Sequence, residues 1–248
     1  GDTSSASNSY QDDNGYYTGN IYYFKYEPLT WRVLDPNEGY VMCNNIIDSQ
    51  AYQNYTCKSE EEYYNSNDCA SFASNWSTSS LKQFLNNDFY NIAFSTKEKK
   101  QIGKSHQENK SAFGSALTTS DGVYDCIDTY EKIFIVSYYD VLCNDYGFST
   151  IISNSKNRLY SGTDYAKCQG LYCSDTFDCR ANWWLRSCYG SYAASSVGYD
   201  GFANYSYLVN STYIGIVPAF KFNPKTSTSN YKTIEFGSYP QSEVKDEA

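Results

Sequence analysis

The residue types that carry acid–base and nucleophilic catalysis are scarce in this sequence. Its 248 residues include one histidine, His106, which lies in a polar stretch at residues 104–108. A Ser-His-Asp or Cys-His arrangement would need that histidine, but its polar surroundings favour an ordinary solvated loop residue. Phosphate-binding loops of the Gly-x-Gly-x-x-Gly and Gly-x-x-x-x-Gly-Lys-Ser/Thr types are absent from the sequence. We therefore predict no catalytic residues and no enzymatic activity.

Carboxylates are plentiful, yet their spacing does not mark a catalytic pair. Glutamates occupy residues 60–62, and Asp125 lies three residues before Asp128. A glycosidase needs two carboxylates on either side of one glycosidic bond, whereas runs of this kind are typical of solvated loops. Loops rich in Asp and Asn also supply the hard oxygen ligands that Ca²⁺ prefers. Calcium is therefore the one candidate cofactor, although the sequence contains no EF-hand loop and assigns no metal ligands.

Nine cysteines leave the redox state of the chain open. They allow at most four disulfides with one thiol left over, and disulfides, free thiols and a metal cluster all remain alternatives. The last four cysteines lack the tightly spaced pairs that zinc sites use. The nine are Cys43, Cys57, Cys69, Cys126, Cys143, Cys168, Cys173, Cys179 and Cys188.

Tyrosine dominates the chemistry that the sequence does offer, with 28 residues in the chain. Between Cys188 and Tyr213 the tyrosines alternate with Ser, Asn, Gly and Ala. Antibody paratopes have this composition, because tyrosine rings give contact area at low entropic cost and small polar residues adapt their hydrogen bonds. The alternative is that tyrosine is simply common throughout this chain. The candidate ligand-binding residues are Trp184, Tyr189, Tyr192, Tyr199, Tyr205, Tyr207, Asn210 and Tyr213.

Charge narrows the classes of partner. The chain carries 19 basic and 28 acidic residues, for a net charge of -9, and its one basic run is residues 97–100. Nucleic acids and anionic membrane surfaces require a positive footprint, so we expect neither as a partner. No stretch of 18 apolar residues occurs, so we expect no direct insertion into a membrane. A glycan or a protein is the expected ligand.

The elements that must position these residues are predicted to be short. Ser79 is a candidate cap for a helix with apolar residues at 81, 84, 85 and 89, and residues 95–98 have the form of a capping box. A turn at residues 35–39 separates strands at 30–34 and 40–43, and Pro28 is predicted to break the strand before them. Residues 106–130 read as polar and irregular, and the final third is rich in strand patterns. The expected class is α+β.

Two adjacent tryptophans anchor the final third. Trp183 and Trp184 face opposite ways on a strand, so we expect one in the core and the other beneath the tyrosine-rich face. Arg186, two residues later, is predicted to be a structural hydrogen-bonding residue rather than a ligand contact.

The segment at residues 183–187 (WWLRS) opens a pattern that continues with residues 197–201 (VGYDG) and 215–220 (GIVPAF). It resembles a family of bacterial extracellular modules of uncharacterised function that carry a WWLRSPG…V..DG…GVRPAL pattern. Residues 27–35 (EPLTWRVLD) resemble that family's early EPIKWRVLD strand pair. Cys188 and Val217 depart from the pattern, which usually has Pro and Arg at these two positions.

That family is similar to the formylglycine-generating-enzyme and retroelement variable-protein branch of the C-type lectin fold. The resemblance implies a C-type-lectin-like module with small antiparallel sheets, a few short helices and long ordered loops, secreted or displayed at the cell surface. It also implies ligand binding by residues between the WWLRS strand and the final strand. The enzymatic members use a cysteine pair and copper, and no residue pattern here carries that pair over.

The expected organisation has four parts. Residues 1–20 form a loose N-terminal arm, residues 21–222 the module and residues 223–231 a linker, while residues 232–248 are a strand-like tail. The tail contains IEFGSYPQ at residues 234–241, which resembles the family's opening strand, FGSYPQ. It either begins a next module or complements an open sheet edge, within the chain or in a neighbouring copy through residues 232–240. A structural subunit of a surface layer or filament, assembled by exchange of this strand, is therefore the alternative to a binding module.

Overall fold

The structure is a computed structural model, and it confirms the α+β class, with mostly β-strands and a few short helices. It describes residues 9–54, 73–112, 118–119, 122–123, 126–173, 178–190, 192–223 and 232–245. The helices are α1 (Ser9–Asp13), α2 (Ser80–Phe84, continuing through a π-helical turn at Leu85–Phe89 into Tyr90–Ala93), α3 (Thr96–Lys99) and α4 (Asp164–Cys168). Short 3₁₀ turns lie at Trp76–Thr78, Asp140–Leu142 and Lys156–Arg158. None of the helices in the described ranges has the length and apolarity to cross a bilayer.

The strands of the described chain form two principal sheets and two hairpin-like pairs. They are β1 (Phe24–Asp35), β2 (Tyr40–Cys43), β3 (Asp48–Ser49), β4 (Ile102–Gly103), β5 (Ser105–Gln107), β6 (Thr118–Thr119), β7 (Gly122–Val123), β8 (Thr129–Glu131), β9 (Ile133–Ile135), β10 (Trp183–Cys188), β11 (Ala193–Val197), β12 (Tyr205–Leu208), β13 (Gly215–Ile216), β14 (Pro218–Phe222) and β15 (Thr233–Glu243). The first sheet has the order β15-β1-β2-β14-β4, with β9 also on β14, and all its pairs are antiparallel. The second has the order β12-β11-β10-β13-β3.

The central strand of the second sheet is buried along its whole length. All six residues of β10 are buried, and both tryptophans that open it, Trp183 and Trp184, are fully inaccessible to solvent. Trp183 packs against Tyr160, with 5.2 Å between ring centroids. Arg186 is buried on the same strand, where its Nε donates to Asn109 Oδ1 at 2.9 Å. This arginine braces the core, as its predicted structural role requires.

Helix α2 follows its local sequence signals. Ser79 Oγ accepts a hydrogen bond from the Lys82 backbone N–H at 3.1 Å, which caps the first turn. The π-helical turn at Leu85–Phe89 lets Asn86 reach the neighbouring strand, because its Nδ2 donates to Ile133 O at 2.7 Å. Both halves of the predicted capping box at Ser95 and Glu98 are present.

Three local predictions were wrong. Pro28 does not end the strand, because β1 runs through it and absorbs it in a shift of register against β15. Residues 106–130 are not wholly irregular, since β5 pairs with β8.

The described part of the N-terminal arm is packed rather than loose. Gln11 and Asn14 donate to carbonyl oxygens at the end of α4, which a helix terminus leaves without partners.

The C-terminal strand lies along β1 of the same chain. β15 forms the edge of the first sheet, with register pairs that run from Phe24–Glu243 to Arg32–Thr233. Phe236 packs against Phe220, with 5.5 Å between ring centroids, and the Trp31 indole N–H donates to Phe236 O at 2.7 Å. The predicted linker at 223–231 lies outside the described residues except for its first residue.

One buried arginine, Arg158, forms hydrogen bonds to several irregular parts of the chain between residues 141 and 201. Arg158 has no solvent exposure. Its guanidinium donates to five backbone carbonyl groups, and the bonds to Gly201 O and Val141 O are fully buried. The five acceptors are the carbonyl oxygens of Val141, Ser149, Ile151, Ser153 and Gly201, at 2.6 to 3.1 Å.

The cysteines show a mixed redox pattern. Cys173 and Cys179 form a disulfide, while Cys43, Cys143 and Cys168 are thiols. Cys57 and Cys69, like the glutamates at 60–62 and Asp125, lie outside the described residues.

A buried carboxylate ties the C-terminal strand to the second sheet. Asp48 on β3 is 2% exposed and accepts a hydrogen bond from the Tyr239 hydroxyl at 3.1 Å. Burial raises the pKa of Asp48 from 3.8 to about 6. The folded chain therefore holds the proton of the Asp48 carboxyl more tightly than the unfolded chain does. The resulting contribution to the free energy of unfolding is complete below about pH 4 and is lost as the pH rises through 6.

We expect Asp48→Asn to remove this pH dependence, because an amide does not ionise. Relative to the variant, the wild type should lose about 2–3 kcal/mol of unfolding free energy between pH 4 and pH 7. Urea unfolding of both proteins at a series of pH values measures this difference, with the exposed Asp88→Asn as the matched control. An identical pH profile for wild type and Asp48→Asn would contradict the assignment.

Candidate binding face

The edge strand of the second sheet carries two of the predicted tyrosines on one face. Tyr205 and Tyr207 are two residues apart on β12, so their side chains point the same way. Their cross-strand partners on β11 are Ser196 and Ala194. These partners are small and leave room for the rings to lie over the sheet.

Four tyrosines meet at this edge, and we call them the tyrosine cluster: Tyr10, Tyr172, Tyr207 and Tyr213. The Tyr207 and Tyr213 ring centroids are 6.0 Å apart, and Tyr10 lies 5.1 Å from Tyr213 and 4.8 Å from Tyr172. All three pairs are edge-to-face, the geometry that aromatic quadrupoles favour. Tyr172 is 37% exposed and the other three are partly buried. The cluster is therefore a partly open aromatic surface.

The rings rest on a rigid support. Trp184 is buried beneath Tyr207, with 6.4 Å between ring centroids, and its indole N–H donates to Gln50 O at 2.9 Å. Asn182 Nδ2 donates to the Tyr207 hydroxyl oxygen at 2.7 Å. The same side chain accepts from the Tyr199 backbone N–H at 2.8 Å. One asparagine thus orients a cluster ring and the loop that follows β11.

The hydroxyls of Tyr207 and Tyr10 stay neutral at physiological pH. Burial raises the pKa of Tyr207 to about 12, and the neighbouring Tyr213 makes the next largest contribution. Burial and the same neighbour also raise the pKa of Tyr10. A neutral hydroxyl both donates and accepts, so the cluster offers ring faces with uncharged hydrogen-bonding groups around them.

Tyr205 belongs to a second aromatic group beside the cluster. Its ring lies 5.2 Å from Phe202, and burial together with the nearby Asp200 raises its pKa. Gly198 lies directly under this ring, because a Cβ added there would come within 2.3 Å of a Tyr205 ring carbon. The glycine of the VGYDG segment is therefore required for this ring position.

The remaining predicted residues lie elsewhere. Trp184 is fully buried, so the prediction that it contacts ligand is corrected: it packs beneath Tyr207. Tyr189 packs against the core at the β10–β11 hairpin. It lies near Tyr138 and helps to raise the pKa of Tyr138, which is raised mainly by burial. Tyr192 is partly buried at the start of β11, where its carbonyl accepts from the Val209 N–H. Asn210 is exposed beyond β12, and Tyr199 is partly buried.

Sequence reasoning missed two members of the cluster. Tyr10 lies on α1, in a segment expected to be loose, and Tyr172 follows the end of α4. Tyr10 and Tyr213 are 203 positions apart in the chain, so no local pattern connects them. The abundance of tyrosine was the one available signal, and it did not distinguish these two residues.

His106, the one histidine of the sequence, lies beside a carboxylate at the surface. His106 Nε2 lies 2.9 Å from Asp128 Oδ2, and both side chains are about half exposed. Within the described ranges, no group of three His, Cys, Asp or Glu residues is arranged to hold a metal ion. The arrangement at the tyrosine cluster is suited to reversible binding through ring contacts and neutral hydrogen bonds.

Comparison with known proteins gives one match. A family model described as a domain of unknown function (DUF6273) matches residues 41–224, about three quarters of the chain. β1 and β15, which pair with each other, both lie outside that match. Searches of curated proteins and of solved structures found no match to this chain.

Proposed function

The chain belongs to the DUF6273 family, a domain of unknown function, and we propose that it is a surface-displayed or secreted binding module. It recognises a glycan or a protein through the tyrosine cluster. The observation that carries this proposal is the set of edge-to-face tyrosine rings at one sheet edge, held from beneath by Trp184 and Asn182. A preorganised aromatic surface loses little entropy on binding.

The fold we propose is C-type-lectin-like. Support comes from two small sheets, four short helices in the described residues and long ordered segments between them. The buried tryptophan pair that opens β10 lies at the centre of the second sheet, with the tyrosine-bearing edge strand two positions away. A scaffold of this kind keeps its core constant while the edge and the loops carry recognition.

The chemistry of the cluster favours uncharged, ring-shaped or aromatic groups in the ligand. Tyrosine rings stack on the apolar faces of sugars or pack on apolar side chains, and their hydroxyls bind polar groups at the rim. Both expected ligands, a glycan and a protein, fit this chemistry.

Removing two rings of the cluster, the exposed Tyr172 and the partly buried Tyr213, tests the proposal. We expect Tyr172→Ala combined with Tyr213→Ala to weaken binding at least about tenfold, because truncating aromatic hot spots costs 1–2 kcal/mol or more. The labelled wild type is first screened on glycan and surface-protein arrays, and both proteins are then titrated with the best binder. Tyr26→Ala, at an exposed tyrosine on β1, is the matched control. Equal affinity of all three proteins would overturn the proposal, as would a wild type with no array binding.

A structural subunit is the second candidate, and one observation favours it. β15 is both the last described strand of the chain and the edge strand of its sheet. Such a strand is able to complement β1 of a neighbouring copy with the same register. Size exclusion with light scattering of the full chain at several concentrations separates the two functions. Oligomers that grow with concentration would favour the structural subunit, and a monomer at every concentration would favour the binding module.

A further inference from the structure

A second concave surface lies between helix α2 and the end of β8, and it shares no residue with the tyrosine cluster. Its volume is about 380 Å³, within the roughly 300–1,000 Å³ range of small-ligand sites. One wall is a face of α2 that includes Lys82 and Tyr90, and the other is the segment Tyr130, Glu131 and Lys132. We call this surface the lysine cleft.

The cleft concentrates positive charge in an acidic protein. Lys82, Lys104 and Lys132 all line it, although the chain has a net charge of -9. Lys132 is held in place, because its Nζ donates to the Tyr90 hydroxyl oxygen at 2.6 Å and lies 4.4 Å from the centre of that ring. Lys104 is exposed at the rim. Concave surfaces with one sign of charge concentrate ligands of the opposite sign.

Glu131, one of the residues that line the cleft, has a carboxylate oxygen that lacks a hydrogen-bond donor among the described residues. The Glu131 side chain is 2% exposed, and its Oε1 accepts from the Trp76 indole N–H. Its Oε2 accepts no hydrogen bond within the described part of the chain, and the nearest ammonium, Lys82 Nζ, is 3.9 Å away. A buried polar atom of this kind is costly unless a partner supplies the missing bond. A ligand hydroxyl group would supply it.

The cleft also has an aromatic rim. Tyr130 is 70% exposed, although its ring packs beside His106 with 4.9 Å between centroids. An exposed tyrosine at the mouth of a polar cleft offers a flat surface for the apolar face of a sugar ring.

We propose that the lysine cleft binds an acidic sugar of the uronic acid type, as a site independent of the tyrosine cluster. The ammonium groups of Lys104 and Lys132 bind the carboxylate, Glu131 Oε2 accepts from a sugar hydroxyl, and Tyr130 stacks on the ring. A simple inorganic anion would satisfy the lysines but would leave both Glu131 and Tyr130 unused. A neutral sugar would leave the lysines unpaired.

The experiment uses the full chain and three probes: methyl glucuronide, methyl glucoside and inorganic sulfate. Saturation-transfer NMR and calorimetry at constant ionic strength should give a millimolar Kd for the glucuronide and at least about tenfold weaker binding of the glucoside. Sulfate at the same concentration should not displace the glucuronide. Lys104→Gln and Lys132→Gln should each weaken glucuronide binding by about fivefold, as expected for a partly exposed charge-assisted hydrogen bond.

Lys97→Gln and Lys100→Gln are the matched controls, because they change the net charge equally at exposed positions outside the cleft. Both should bind the glucuronide like the wild type. The Tyr172→Ala, Tyr213→Ala double variant should do so too, which means that the proposal for each site is tested independently of the other. Lys104 is exposed, so its variant should melt like the wild type even if Lys132→Gln does not. Equal binding of glucoside and glucuronide, displacement by sulfate, or no glucuronide binding would each overturn the proposal.

Discussion

Replacing Arg158 with methionine is expected to destabilise the fold by about 3–5 kcal/mol, the cost typical of breaking a fully buried charged network. Methionine fills much of the same space, yet it donates no hydrogen bond. Five backbone carbonyl groups, spread from Val141 to Gly201, would lose the guanidinium as a donor, although Gly201 O would keep the Ser155 backbone N–H. Each buried acceptor without a partner costs about 1–3 kcal/mol, less whatever water recovers by entering.

Arg158→Lys separates charge from geometry in this network. Lysine keeps the positive charge but offers three donors from one atom, whereas the guanidinium distributes five donors around a plane. We expect Arg158→Lys to be nearly as destabilising as Arg158→Met. Chemical unfolding of both variants measures the change, and Lys156→Met, at an exposed position in the same 3₁₀ turn, is the control. A loss below about 1 kcal/mol in both variants would contradict the network, since surface substitutions fall in that range.

Truncation before residue 232 is expected to abolish cooperative folding of the isolated chain or to cost about 5 kcal/mol or more, because several of the large destabilising mechanisms act at once. β1 would lose its edge partner over most of its length. Phe236 would leave the aromatic cluster that surrounds Phe220, and the indole N–H of the fully buried Trp31 would lose its acceptor. Asp48 would lose the Tyr239 hydroxyl.

The truncated chain also allows a rescue experiment. A synthetic peptide of residues 232–248 should restore the thermal transition in a concentration-dependent way, because a strand that pairs through its backbone is able to add in trans. A peptide of the same length with Phe236→Ala and Tyr239→Ala serves as the control, since it keeps the backbone but lacks the rings of these two residues. Differential scanning calorimetry provides the readout. A truncated chain that melts like the full chain would show that β15 contributes little to the fold.

Short sequence patterns predicted some elements of this fold, but they did not predict which strand the C-terminal tail pairs with. The helix cap at Ser79, the capping box at Ser95 and the strand at residues 183–187 follow short patterns, and the structure confirms them, with the strand one residue longer than predicted. The tail was expected to be a strand, but whether it had a partner was left open. Only the register against β1 decides that question, because any strand with suitable periodicity offers the same backbone groups.

The binding face was also predicted only in part. Composition pointed to the tyrosines around β12, and the structure places Tyr205 and Tyr207 on one face of that strand. Trp184 was a candidate ligand-binding residue, although strand alternation also predicted one of the two tryptophans beneath the tyrosine-rich face. It is covered because Tyr52 and Tyr207 lie against it, and these contacts span more than 20 positions on either side.

The starts of α2 and α3, the turn at residues 35–39, the α+β class and the scarcity of catalytic groups follow from the sequence alone, because each depends on residue types or on spacing within one element. The tertiary structure alone decided the partners of Arg158, Glu131 and Tyr10. Arg158 binds backbone carbonyl groups, which every residue type possesses, so no sequence pattern identifies its acceptors. Tyr10 and Glu131 owe their surroundings to segments that are distant in sequence, and these segments meet only when the sheets and helices pack.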